Sequence, residues 1–205
     1  MIASPLLALL LAAAPATPAA SPPAPAAPVH VVMTTELGEL ELVLDAARAP
    51  ATVANFLRYV REGRYDGGRF HRTVRPGNQP ASPVKIDVVQ AGVAPARAER
   101  DHAPIRLERT RDTGLRHVDG AISMARAGPD TATSDFFVCV GAQPELDFGG
   151  RRNPDGQGFA AFGRVVRGMD VVRRIHRAPA KGQALSPPVR ILAARVVGPA
   201  GAAQR

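Results

Sequence analysis

Cysteine is nearly absent: the 205 residues contain one, Cys139. No intramolecular disulfide can form, and a lipid-modified N-terminal cysteine is excluded. Cys139 lies in Phe137-Val138-Cys139-Val140, an apolar run that reads as buried strand rather than reactive thiol. Tryptophan is missing and aromatics make up only 4%. Lysine is scarce too: only Lys85 and Lys181 occur, so the net charge of +8 is an arginine charge. With no compact basic run and no base-stacking aromatic motif, nucleic acid is not expected as a partner. The five histidines, His30, His71, His102, His117 and His176, are scattered without metal-ligand spacing. No glycine-rich phosphate loop precedes a helix, and no serine sits in a nucleophile elbow. Ser123 and Ser134 read as structural, and no carboxylate pair stands out for acid–base work.

Charge is absent from residues 1–28. Their core, Pro5-Leu6-Leu7-Ala8-Leu9-Leu10-Leu11, is well short of the roughly 20 residues that span a bilayer. Ala14-Pro15-Ala16 and Ala24-Pro25-Ala26 fit small-x-small cleavage sites. This is the outline of a secretory signal peptide, although its n-region lacks Lys and Arg. It predicts export to the periplasm, with no membrane span left after cleavage. The Ala/Pro-rich residues 17–28 read as leader or extended linker, and 199–205 as a flexible tail. One domain, 29–198, is expected between them.

That domain shows two kinds of periodicity. Strands are predicted at 29–34, 39–44, 69–74, 85–90, 120–125, 136–140, 159–165 and 189–197, the first two forming a hairpin across Glu36-Leu37-Gly38. Pro50 opens a helix to Arg61 with Val53, Phe56, Leu57 and Val60 on one face; Gly168–His176 is a second, with Val171, Val172 and Ile175 inward. About eight strands without regular βαβ alternation argue for an antiparallel sheet closed into a barrel, with the two helices capping its ends. Side chains can fill such an interior, which argues against a ligand in the lumen.

One strand is odd. In Arg69-Phe70-His71-Arg72-Thr73-Val74, simple alternation puts Arg72 on one face with Phe70 and Val74. A guanidinium there needs a partner, or it borders a pocket that uses it. Other unusual residues recur at strand edges: Gln90, the run Ser123–Asp130, Thr133–Val138, and Glu145-Leu146-Asp147-Phe148. Ala125 and Ala127 are small enough for backbone to approach a ligand. Taken singly, Arg72 reads as an ion-pair member, Gln90 as a cap, and Phe137 and Leu146 as core.

Taken in order they form a longer pattern. Phe70-His71-Arg72, Gln90-Ala91-Gly92, Ser123–Gly128 with Pro129 and Thr131, Ser134-Asp135-Phe136-Phe137, Leu146-Asp147 and Phe162–Val172 together resemble the cyclophilin family of peptidyl-prolyl cis–trans isomerases, most of all its exported bacterial branch. The resemblance spans about residues 30–198. It implies an eight-stranded antiparallel barrel with two capping helices and no cofactor. It implies activity on X–Pro bonds of proline-containing unfolded or exported polypeptides. Arg72 matches the family's catalytic arginine. Substrate contacts are implied at Phe70, Gln90, Ala125, Arg126, Ala127, Asp135, Phe137, Leu146 and Phe159. A monomer is expected, since no long apolar surface stripe is left over.

Three acidic residues depart from the family pattern. Asp135 stands where Gln is usual, and a direct pairing with Arg72 is expected. Asp87 replaces an aromatic pocket wall, after an insertion between Pro76-Gly77 and Gln90. Glu145 replaces an aromatic before Leu146, while Phe159 falls where many members have His and is expected to rebuild part of the pocket. The alternative these changes raise is a cyclophilin-fold chaperone or scaffold that holds proline-containing chains with little isomerase activity.

Overall fold

The computed structural model describes residues 27–198. The expected leader, most of the Ala/Pro linker and the tail lie outside the described residues.

The chain opens with the hairpin β1 (Val29–Thr35) and β2 (Gly38–Leu44). Helix α1 (Pro50–Arg61) follows, with proline in its first turn and its buried face formed by Val53, Phe56, Leu57, Tyr59 and Val60. Next come β3 (Arg69–Val74), a 3₁₀ turn at Pro76–Asn78 and β4 (Val88–Gly92). Two one-turn helices, α2 (Pro95–Ala98) and α3 (Thr110–Thr113), lie in the long connection that follows. Then follow β5 (Ala121–Met124), β6 (Phe136–Cys139), a 3₁₀ turn at Pro144–Leu146, β7 (Ala160–Arg167) and helix α4 (Met169–Arg177). A short hairpin pairs β8 (Ala180–Lys181) with the start of the long β9 (Ala184–Val197).

The strand order is β1-β2-β7-β5-β6-β4-β3-β9, and β1 pairs with β9, so eight antiparallel strands close into a barrel. The two-residue β8 hangs from β9 outside the ring. It was not expected, because Gly182 and Pro187-Pro188 flank a segment that reads as loop.

The barrel interior is filled by Val31, Met33, Leu42, Phe70, Val89, Ala91, Ile122, Phe136, Val138 and Phe162, with Phe56 and Tyr65 joining them. Phe56 stacks edge-on to Phe136 at 5.4 Å and meets Phe162 at 5.2 Å. Val171, Val172 and Ile175 of α4 join the same core beside the start of β2. Gly168 before α4 has φ +95°, and a Cβ there would lie 2.2 Å from the Glu39 carbonyl oxygen. Only glycine lets the helix begin so close to β2.

A second apolar cluster lies on the other face of the sheet. It contains Val74, Ile86, Val88, Ala121, Phe137, Cys139 and Leu146, with Ala125 and Phe159 packed against it. Burial pushes the Cys139 thiol pKa far up, as expected for an inert packing residue.

Candidate active site

The ladder decides which side chains meet on that outer face. Across β4 and β6, Gln90 pairs with Phe137 and Val88 with Cys139; across β5 and β6, Ser123 pairs with Phe137. Directly opposed residues in an antiparallel ladder point to the same face. Arg72 pairs with Gln90, whereas Phe70 pairs with Ala91. Gln90 and Ala91 are neighbours and face opposite ways, so Phe70 and Arg72 do too. A β-bulge between them makes the switch. The simple alternation expected for Arg69–Val74 is therefore corrected: Arg72 is not beside Phe70. Phe70 is fully buried in the barrel core, edge-on to Phe136 at 6.1 Å, and lies away from the outer cleft.

Arg72 is half-buried, and its guanidinium is held from two sides by neutral amides. Its Nη1 donates to Gln90 Oε1 at 3.0 Å. Its Nε and Nη2 both donate to Gln183 Oε1, at 2.9 and 2.5 Å. Gln183 sits in the β8–β9 turn and is itself anchored through Nε2 to the Asn78 carbonyl at 3.1 Å. Arginine has five N–H donors. These bonds leave one hydrogen on each Nη, both available to a ligand. Burial lowers the Arg72 pKa somewhat without removing its charge.

Asp135 does not pair with Arg72 as expected. Its Oδ2 accepts from Gln90 Nε2 at 2.9 Å and lies 3.5 Å from His71 Nε2. The coupling to Arg72 runs through Gln90. A Cβ at Gly92 would lie 1.8 Å from Asp135 Oδ1, so the missing side chain at Gly92 makes room for this carboxylate. The other acidic departures are likewise occupied. Asp87 is 3.2 Å from His176, and Glu145 is bound by Arg151 at 3.0 Å. The side-chain hydrogen bond from Arg151 holds the Glu145 carboxyl below its usual range.

Phe137 and Leu146 belong to the same outer cluster. Phe159 meets Phe137 edge-on at 5.3 Å, and its backbone N–H donates to the Leu146 carbonyl at 2.9 Å. Ala125 packs against the same cluster. Ala127 is exposed, and its N–H is taken by Thr131 Oγ1. The Arg126 side chain does not reach into the cleft. It is bidentate to Asp155 at 2.7 and 2.9 Å, donates to the Gly158 carbonyl, and lies over the Phe159 ring at 5.0 Å. It holds the loop that presents Phe159.

Behind Phe137 lies a group that no sequence spacing announced. His117 stacks on the ring with centroids 5.9 Å apart. Its Nδ1 is 2.8 Å from Asp147 Oδ1, and its Nε2 is 3.0 Å from Ser123 Oγ. The row has the residue types of a nucleophilic triad, but Ser123 and His117 are buried beneath Phe137 where no substrate reaches. Its effect is to fix the back of the aromatic wall. Burial pushes the Asp147 carboxyl up, but hydrogen bonds from the His117 ring and backbone outweigh it, and the net shift is downward. Gln183, His117 and Arg152, whose Nη1 donates to Gln79 Oε1 at 2.8 Å, are the residues of this region that sequence reasoning missed.

A closed eight-stranded barrel with an apolar cluster on its outer face, and a half-buried arginine held by amides, defines a cyclophilin-like protein. Comparison with known proteins agrees. The family described as "Cyclophilin type peptidyl-prolyl cis-trans isomerase/CLD" matches residues 30–196. The chain is 40% identical over 147 residues to peptidyl-prolyl cis-trans isomerase A of Dickeya dadantii, covering 71% of this chain and 70% of that protein. It is 38% identical over 146 residues to a Streptomyces antibioticus peptidyl-prolyl cis-trans isomerase, covering 71% and 81%. A crystal structure of a cyclophilin-type peptidyl-prolyl cis-trans isomerase from Cryptosporidium parvum superposes with a TM-score of 0.66 at 20% identity, covering 84% of this chain and 99% of that one. The chain belongs to the cyclophilin-type peptidyl-prolyl cis-trans isomerase family, a family of enzymes.

Proposed function

We propose that this domain catalyses cis–trans rotation about X–Pro peptide bonds in proline-containing chains exported to the periplasm, and that it does so as a monomer. The observation that carries the reading is the Arg72 guanidinium, fixed by Gln90 and Gln183 beside the apolar cluster of Phe137 and Leu146 with two N–H donors to spare. The uncatalysed barrier of about 18–20 kcal/mol comes from amide resonance. No bond to a substituent breaks, so neither nucleophile nor proton shuttle is required. The site must bind the twisted amide better than either planar form. Phe137, Leu146 and Phe159 hold the prolyl ring. As the amide twists, the nitrogen lone pair localises and becomes a better acceptor. A guanidinium already oriented in a partly dry site then gains more from the transition state than from the ground state. The uncharged leader-like segment 1–28 supports the exported setting.

The test is the cis-to-trans rate of a proline tetrapeptide at low temperature, with the protein and with Arg72→Ala. Clear acceleration that falls by about 10²–10³-fold in the variant, while peptide binding survives, is expected. A folded protein with no acceleration overturns the reading and leaves a proline-binding module.

A further inference from the structure

A second guanidinium bridges two loops that border the same apolar cluster. Arg152 is carried by the loop that follows the 3₁₀ turn Pro144–Leu146, and its backbone N–H donates to the Glu145 carbonyl at 3.1 Å. Its side chain crosses to the inserted loop before β4. There Nη1 donates to Gln79 Oε1 at 2.8 Å, Ser82 Oγ at 2.6 Å and the Val84 carbonyl at 2.7 Å. The two bridged loops carry Leu146 and Ile86, both members of the outer apolar cluster. Arg152 thus bridges the two loops, and its partner Gln79 follows Asn78, whose carbonyl anchors the Gln183 that holds Arg72.

Neither cation has a carboxylate within 4 Å among the described residues; the hydrogen-bond partners of both are neutral. The three acidic departures are committed elsewhere: Asp135 to Gln90 and His71, Glu145 to Arg151, Asp87 to His176. Burial is the main influence on Arg152, and the Arg72 charge adds to it, so both hold the guanidinium below its usual value. Two half-buried like charges are costly to keep together. Arg152 spends only Nη1 on the loop, leaving its Nε and Nη2 donors free among the described residues. An arrangement with unspent donors and uncompensated charge is complementary to an anion.

We propose that Arg152 is a specificity-determining residue and that the site prefers proline segments with a carboxylate side chain, Asp or Glu, next to the proline. The proline ring would enter the Phe137–Leu146 cleft, and the flanking carboxylate would meet the free edge of Arg152. The proposal rests on the isomerase reading, but its failure is distinguishable from a failure of that reading.

The experiment compares kcat/KM for three tetrapeptides that differ only in Glu, Ala or Lys before proline, at about 20 mM and 500 mM salt. The expected order is Glu over Ala over Lys, with Glu ahead of Ala by about fivefold at low salt, the size given by one further cation within roughly 8 Å in a partly aqueous medium. High salt compresses the order. Arg152→Gln brings the Glu-to-Ala ratio close to one, and Arg152→Lys restores it in part. Equal rates for Glu and Ala in the unaltered protein, or a ratio untouched by Arg152→Gln, overturn the proposal while leaving the isomerase intact. If no peptide is turned over, the isomerase reading fails. The affinities of the same three peptides, measured by calorimetry, then decide the acidic preference alone.

Discussion

Gln183 is the most informative residue to perturb, because its side chain is hydrogen-bonded only to the Arg72 guanidinium and to its own anchor. Its carbonyl accepts two of the three hydrogen bonds that orient Arg72, at 2.9 and 2.5 Å. Gln183→Ala removes both and leaves the bond from Nη1 to Gln90. A hydrogen bond to a charged group is worth about 1.5–3 kcal/mol. Arg72 is half-exposed, so water replaces part of that. Losing about 1.4 kcal/mol of preorganisation lowers the rate about tenfold. On the proposed reading, in which Phe137, Leu146 and Phe159 hold the prolyl ring, the loss falls in kcat and not in peptide affinity. Gln183 lies on the β8–β9 turn outside both apolar clusters, so the thermal midpoint falls by no more than about 3 °C. Gln183→Glu keeps an acceptor in place and restores part of the rate. The assay is the proline tetrapeptide rate with a titration of peptide binding alongside. A kcat within twofold of the unaltered protein refutes the claim that Gln183 orients Arg72. A large drop in thermal midpoint attributes the loss to the fold instead.

Two further outcomes follow from the same geometry. Asp135 reaches Arg72 only through Gln90, so Asp135→Gln should change kcat/KM less than about threefold, whereas Gln90→Ala, which removes the relay, should cost about tenfold; equal losses in the tetrapeptide assay would point to direct electrostatic control by Asp135. The folded-state pKa of Asp147 is depressed, so its stabilisation is present above the unfolded carboxyl value of about 3.9 and is lost as pH falls through the folded one. Asp147→Asn should therefore lower the midpoint in urea at pH 7 by about 1–3 kcal/mol equivalent, and the gap from the unaltered protein should narrow below about pH 4; a gap that widens on acidification contradicts the assignment.

Local signals carried most of the fold. Pro50 with Val53, Phe56, Leu57 and Val60 announces α1, whose span is Pro50–Arg61 as expected. The flanking turns of Arg69–Val74 likewise bound β3. The expected strand at 85–90 is instead Val88–Gly92, because the Gln79 side chain captures the Ile86 carbonyl and N–H and keeps that segment out of the ladder. Ordered motifs brought Arg72, Gln90, Phe137, Leu146 and Phe159 to one face. Gln183 was not legible, since Gly182 and the proline pair at 187–188 resemble a loop, yet β9 begins at Ala184 and continues through the prolines. There Phe70 pairs with Val189 and Arg72 with Ala184, so residues 185–188 bow out opposite His71. His117 and Asp147 are 30 positions apart, and a contact made only by barrel closure leaves no periodic trace in sequence.

The bulge at His71 joins the fold to the chemistry. Along β4 and β6 the pleat sorts side chains unaided: Ala91, Val89, Phe136 and Val138 fill the barrel, while Gln90 and Phe137 face the outer cleft. In β3, Phe70 and Arg72 are two positions apart, so a regular strand would send both the same way. Keeping Phe70 in the core would then bury the guanidinium among Tyr65, Phe136 and Phe162, with no carboxylate in that cluster to meet it. An uncompensated buried charge costs several kcal/mol, comparable with the whole stability of a domain. Turning the strand the other way would expose Phe70 and empty the centre of the barrel, at about 3–5 kcal/mol. One extra residue in the ladder removes the conflict, because it lets Phe70 and Arg72 face opposite sides. The same shift brings Arg72 opposite Gln90 and within reach of Gln183. The irregularity that regular alternation could not anticipate is thus what allows an outward-facing arginine on a strand whose Phe70 belongs to the core.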